Sequence, residues 1–173
     1  MKLNEAACGE SQLVRSTRPR TRTLHRMTDL SDFARICGAD HGLCVVTTVR
    51  DDGTVQASVV NAGVLDHPVS GAPVVGLVAA GGSRKLVNLR RRPRTALVAK
   101  SGWQWVAVEG STELIGPDDP APGIDADRLR LLLREIFTAA GGTHDNWAEY
   151  DRVMASEGRT AVLVTPARVY SNS

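Results

Sequence analysis

The sequence predicts a mainly β domain, an antiparallel barrel with helical additions, on three observations. About six segments rich in β-branched residues follow one another, and the first two are joined by the turn Asp51-Asp52-Gly53. Helical patterns are inserted between strands instead of alternating with them, which argues against a doubly wound parallel sheet. With 173 residues, 42% hydrophobic and 23% charged, the chain is long enough for one sizeable core.

Residues 1–26 are polar and basic without periodicity, and read as a disordered N-terminal extension. Met27 marks the expected start of the domain, 27–173, which leaves the preceding residues as an upstream extension or the product of a misassigned start codon. Thr28 or Asp29 can cap a short helix to about Ile36, with Leu30, Phe33, Ala34 and Ile36/Cys37 on its apolar face and Gly38 ending it. Gly42–Arg50 and Thr54–Leu65 form the hairpin. Asp66–Pro73 is a loop, and Val74–Ala80 the third strand. Ser83 opens a two-turn helix, Arg84 to about Arg91, stopped before Pro93, with Leu86 and Leu89 inward. Arg94–Lys100 and Gln104–Ile115 are the next strands, turning at Ser101-Gly102, and Pro117–Gly123 cannot be regular structure. The stripe Leu129, Leu132, Leu133, Ile136, Phe137, Ala140 predicts a helix over Asp127–Ala140. A second helix runs from Trp147 to about Glu157, with Asn146 as cap, Glu149 at its third position and Trp147, Tyr150, Val153 and Met154 on its apolar side. Thr160–Val164 is the last strand, which Val169-Tyr170 extends beyond Pro166.

Charge and composition exclude several function classes. The net charge of +2 lives in residues 1–26, which hold six Lys/Arg and two Glu. The remainder has 15 cations against 17 anions, which disfavours nucleic-acid binding by the whole domain. Three cysteines, Cys8, Cys37 and Cys44, lack metal-ligand spacing, and the last two lie in apolar sequence as buried thiols. That usage suits a reducing cytoplasm. No apolar run is long enough to span a membrane. Four dispersed histidines without clustered carboxylates give no metal site, and nucleophile-elbow, Walker and dinucleotide fingerprints are absent.

The candidate site is the stretch Gly81–Gly110, where Arg84, Lys85, Arg90, Arg91, Arg92, Arg94 and Lys100 face one acid, Glu109. Gly81-Gly82 allow a tight turn, and the helix start after Ser83 offers backbone N–H groups and a dipole to an anion. Ser83 adds a hydroxyl, Arg84 a fork, Lys85 a point charge, and Asn88 lies one turn on from both cations. The bland alternative is a solvated basic helix. Arg90, Arg91, Arg92 and Arg94 are expected to face solvent, as are the carboxylates of the Pro117–Pro120 loop. Trp103 and Trp105, two apart, are expected on one strand face, either walling a planar ligand or filling a core or interface. Gln56, Ser58 and Val60 share one face of their strand and Ala57, Val59 and Asn61 the other. Their small size lets a flat ring approach backbone amides.

The segments SRKLVNLRRRPRTALV and WQWVAVEGSTELIG, with the DDG hairpin and the late NWAEYDRVMASEGR segment, resemble the flavin/deazaflavin oxidoreductases of the pyridoxamine 5'-phosphate oxidase-like split β-barrel superfamily. The closer likeness is to the actinobacterial branch that uses coenzyme F420. The resemblance covers about Leu30 to Tyr170. It implies a six-stranded split barrel of FMN-binding type and a homodimer with two cofactor sites at its interface. It also implies that Ser83, Arg84, Lys85 and Asn88 hold the cofactor phosphate, chiefly through Lys85. The strand Ala57, Ser58, Val59, Val60, Asn61 would line the ring by its backbone, with Trp103 or Trp105 near the ring or tail. The chain ends VYSNS, without the substrate motif of pyridoxamine-phosphate oxidases proper, and Arg92 stands where many relatives have Asp. The function implied is hydride transfer from reduced F420 to an activated C=C or C=N bond of a conjugated small molecule, with no catalytic side chain nominated. The rivals are an FMN enzyme of the same fold, a non-catalytic cofactor or tetrapyrrole carrier, and a small nucleic-acid-binding barrel.

Overall fold

In a computed structural model that describes residues 27–172, the strands are β1 (Leu43–Val49), β2 (Val55–Asp66), β3 (Pro73–Ala79), β4 (Arg94–Ser101), β5 (Gln104–Ile115) and β6 (Thr160–Ser171). They close into a barrel in the order β1-β2-β3-β6-β5-β4, with every neighbouring pair antiparallel. The disorder expected of 1–26 falls outside the described residues. Four helices decorate the barrel: α1 (Leu30–Gly38), α2 (Arg84–Arg91), α3 (Ala126–Ala139) and α4 (Trp147–Ser156). None is long and apolar enough to cross a membrane.

Local chemistry sets most boundaries. Asp29 caps α1 in a box with Asp32, and Asn146 accepts from the Glu149 N–H to start α4. β6 differs from expectation. It runs unbroken through Pro166, because the β5 pairing shifts register there: Gly110 pairs with Pro166, but Glu109 pairs with Arg168. Ala167 is the extra residue of a bulge, one of the few sheet positions that spare a proline its missing donor.

Two apolar clusters sit on either side of the sheet. The barrel interior packs Val46, Leu77, Leu97, Val106, Val108 and Val162 against Phe33 and Ile36 of α1 and Leu86 and Leu89 of α2. Cys37 and Cys44 belong to this cluster as free thiols, and the Cys44 thiol, hydrogen-bonded to Cys37 and buried, is pushed above its ordinary pKa. The outer cluster joins Leu132, Leu133 and Ile136 of α3 and Tyr150 of α4 to Val74, Ile115, Ala161 and Leu163.

The seat of α3 depends on Gly63 in β2. A Cβ there would lie 2.2 Å from the carbonyl carbon and 2.3 Å from the carbonyl oxygen of Ala139. Backbone cannot swing aside as a flexible side chain can. Gly63→Ala is therefore expected to lift the end of α3 and destabilise the fold by about 1–3 kcal/mol, the range for overpacking. Urea unfolding checks this, with an unchanged midpoint as the contrary result.

Candidate functional site

β2 is paired on its two edges over different lengths. It pairs with β1 from Val55 through Asn61, but with β3 only from Ala62 onward. From Val55 to Asn61, the edge turned away from β1 therefore has no strand partner, and alternate backbone groups point into the opening. Barrel closure is split at that place. The burial pattern of Gln56–Asn61 alternates as the sequence predicts, with Gln56, Ser58 and Val60 half-buried and Ala57, Val59 and Asn61 exposed. The Asn61 amide donates to the carbonyl of His41 at 2.8 Å.

A cavity of about 400 Å³ lies along this opening. Val59, Val60 and Asn61 of β2 line it together with Lys85 of α2. Thus the structure brings together four of the eleven residues singled out from the sequence. The remaining walls are Val78–Ala80, Ile136, Phe137 and Ala140 at the end of α3, Tyr150 and Met154 of α4, and Arg159. Its volume falls in the usual range for small-molecule sites.

The other candidates take different positions. Asn88 is buried, and its amide donates to Thr48 Oγ1 at 2.9 Å and Gln56 Oε1 at 3.1 Å. It ties α2 to the hairpin and does not border the cavity. Arg84 is exposed at the first position of α2. Ser83 is the N-cap residue but its side chain caps nothing, and its buried Oγ has no hydrogen-bond partner. Ala57 and Ser58 lie further along β2, outside the cavity lining.

The tryptophans do not share a strand face. Gly102, at φ 59°, and Trp103 make the β4–β5 turn, so β5 begins at Gln104. Trp103 is 94% exposed at the hairpin tip. Trp105 is half-buried within β5, edge-on to Tyr170 with ring centroids 6.0 Å apart.

Arg90, Arg91, Arg92 and Arg94 are exposed, as expected, but the first three also make contacts within the fold. Arg90 forks onto Asp119 at 2.8 and 2.9 Å, so the Pro117–Pro120 carboxylates are partly engaged as well. Arg91 pairs with Asp51. Arg92 donates to the carbonyls of Arg50 and, at 3.1 Å, Asp51, securing the hairpin turn.

In the sequence Phe137, Tyr150 and Met154 read as helix packing, and Arg159 stands out only as the last residue of the NWAEYDRVMASEGR segment. The first three do pack in the outer cluster or against it, yet they also wall the cavity. Tyr150 offers its ring, because its hydroxyl donates to the Leu133 carbonyl at 3.1 Å and burial pushes its pKa up. It is not a proton donor toward the cavity. Phe137, His144, Trp147 and Tyr150 form a ring cluster, with the Arg134 guanidinium over Trp147.

Asp151 holds the two walls formed by α3 and α4 together, accepting from Arg134 at 2.8 Å and Arg130 at 3.2 Å. The Arg134 guanidinium, with that of Arg130, holds its carboxyl below the usual range. A carboxyl depressed in the folded state contributes stability above its unfolded pKa of about 3.9, and loses it as pH falls through the lower folded value. The unfolding midpoint of Asp151→Asn should therefore lie below that of the wild type at pH 7, with the gap closing below about pH 3.9. A pH-independent gap in urea titrations would contradict this role.

No family model matches the chain, and no curated protein matches it. Solved structures do match. A conserved hypothetical protein from Mycobacterium tuberculosis aligns at 19% identity over 82% of each chain, with a TM-score of 0.59. A pyridoxamine 5'-phosphate oxidase-related, FMN binding protein from Nostoc punctiforme aligns at 11% identity over 82% of each chain, with a TM-score of 0.56. An F420 reductase aligns at 16% identity over 74% of this chain and 88% of its own, with a TM-score of 0.52. The chain has the pyridoxamine 5'-phosphate oxidase-like split-barrel fold. In this split barrel the split lies at the free edge of β2, beside Lys85, and the cavity runs along it.

Proposed function

We propose that this split barrel is an oxidoreductase that binds a phosphorylated flavin-type cofactor, coenzyme F420 in the first place and FMN as the alternative. Its reaction is hydride transfer from the reduced cofactor to an activated C=C or C=N bond of a conjugated small molecule. One observation carries the reading: the unpaired edge of β2 and Lys85 line the same cavity. A free strand edge offers donors and acceptors to the rim of a flat heterocycle, and a lysine offers charge to a phosphate. The residues present fit such a ligand. The cavity has cations on its wall, a flat strip of small residues at Val59–Asn61, and aromatic and thioether surface from Phe137, Tyr150 and Met154.

When bound, a reduced flavin or deazaflavin supplies the hydride chemistry. The protein's share is positional. Lys85 holds the phosphate, the β2 edge orients the ring, and α3 and α4 exclude water from one side of it. The Tyr150 hydroxyl is engaged by the Leu133 carbonyl and takes no part in this positioning.

The active form in this proposal is a homodimer. Leu43, Val45, Val55, Val59 and Val98 are exposed and project outward from β1, β2 and β4. Val45 is in register with Val59 on one side and Val98 on the other, so the side chains make one continuous apolar strip. The strip is a face of the sheet, whereas the free edge of β2 borders the cavity. A second copy of the chain suits it, because the strip is uncharged along its centre and can meet itself about a two-fold axis. Val59, 65% exposed, belongs both to this strip and to the cavity wall, so a partner seated on the strip would also cover the cofactor site.

Titration of the purified full-length protein with F420 and FMN side by side, followed by ligand fluorescence, tests the reading. Saturable binding of either supports it and identifies the cofactor. Binding of neither overturns it.

A further inference from the structure

We infer that Arg159, with Lys85, forms a two-cation anion grip built from two chain segments, and that Glu157 occupies the Arg159 guanidinium until an anion replaces it. The inference rests on the proposed cofactor reading and extends it to residues outside the Ser83–Asn88 segment.

The two segments are docked backbone to backbone. The Gly81 N–H donates to the Glu157 carbonyl at 3.1 Å. A Cβ on Gly81 would sit 2.7 Å from the Gly158 carbonyl oxygen and 2.9 Å from that of Glu157. Only a glycine lets the turn leading into α2 approach the turn leaving α4 so closely. That contact places Lys85, the second residue of α2, and Arg159, which leads into β6, on the wall of one cavity. The position of Arg159 is fixed from its own side too. Gly158 adopts φ 56°, and the Arg159 N–H returns to the Met154 carbonyl at 2.9 Å, closing the end of α4.

The Arg159 side chain has a partner of a replaceable kind. Its Nε donates to Glu157 Oε2 at 2.7 Å, and the pair is partly exposed, at 29% for the arginine and 45% for the glutamate. Exposed ion pairs between near neighbours in sequence contribute little. The phosphate of FMN is a monoester and carries a charge of about −1.5 to −2 near neutral pH, more than Lys85 alone offsets. An arginine fork is the side chain best matched to its oxygens. The incoming anion therefore takes over the guanidinium, and Glu157 turns to solvent.

The test is fluorescence titration of the wild type, Arg159→Gln, Arg159→Lys and Glu157→Gln with whichever of F420 and FMN the wild type binds. The same ligand without its phosphate, riboflavin in the case of FMN, is titrated in parallel. Arg159→Gln should weaken binding of the phosphorylated ligand about tenfold or more, with Arg159→Lys in between. Glu157→Gln should tighten it, having removed the competitor. None of the three should change binding of the phosphate-free ligand, which a general loss of folding would impair. Wild-type affinity in Arg159→Gln, weaker binding in Glu157→Gln, or equal effects on both ligands would overturn the grip while leaving the cofactor reading in place. If the wild type binds neither cofactor, the cofactor reading fails and the grip fails with it.

Discussion

Replacing Lys85 by alanine should weaken binding of F420 or FMN by about 10- to 150-fold, whereas Arg92→Ala should leave the dissociation constant unchanged. The magnitude is that of one lost charge-assisted contact, about 1.5–3 kcal/mol. The contrast comes from what each cation touches. Lys85 lines the cavity beside the free edge of β2. Arg92 ends α2, and its guanidinium is already committed to the carbonyls of Arg50 and Asp51. Losing Arg92 loosens the β1–β2 turn and costs fold stability, but removes nothing a ligand would contact. The two variants should therefore separate on two axes: cofactor titration moves for Lys85→Ala alone, and urea unfolding moves more for Arg92→Ala. Equal losses of affinity would mean that the arginine run acts as a diffuse basic surface and that the cavity is not the binding site.

The architecture was legible wherever local chemistry and periodicity agree. The Asp51-Asp52-Gly53 turn, the Ser83-to-Pro93 brackets around α2 and the leucine stripe of α3 each specify an element within a few residues. β6 was harder, because Pro166 reads locally as a strand end. Only the register against β5, which no short stretch encodes, makes room for it in a bulge. Lys85, Val59, Val60 and Asn61 line one cavity, a grouping the sequence suggests because helix-start and strand signals are local. Asn88 misleads by the same logic. Its spacing from Arg84 and Lys85 suits a shared patch, but its amide is claimed by Thr48 and Gln56 from other strands. Trp103 misleads because Gly102 turns the chain one residue later than the two-residue spacing supposes. Arg159 carried a weak signal, a cation after a helix-ending glycine. Its proximity to Lys85 arises from the Gly81 contact, which joins segments far apart in sequence.

Val45→Glu should convert the proposed dimer to a monomer and abolish measurable cofactor binding while leaving the barrel folded. Val45 projects outward at the middle of the apolar strip, flanked in register by Val59 and Val98, so a glutamate there meets solvent in the monomer and disturbs no core contact. In a two-fold dimer each copy would bury that carboxylate against apolar side chains, a cost of several kcal/mol without a partner charge. Cofactor binding should fall together with assembly, because Val59 serves both the strip and the cavity wall. Sedimentation velocity gives the oligomeric state, circular dichroism the fold, and titration the affinity. A wild type that sediments as a monomer, or a Val45→Glu protein that stays dimeric, would remove the second copy from the proposal. A monomeric Val45→Glu protein with full cofactor affinity would show instead that one chain suffices to hold the ring, which would place the whole binding site between β2, α2, α3 and α4 of a single barrel.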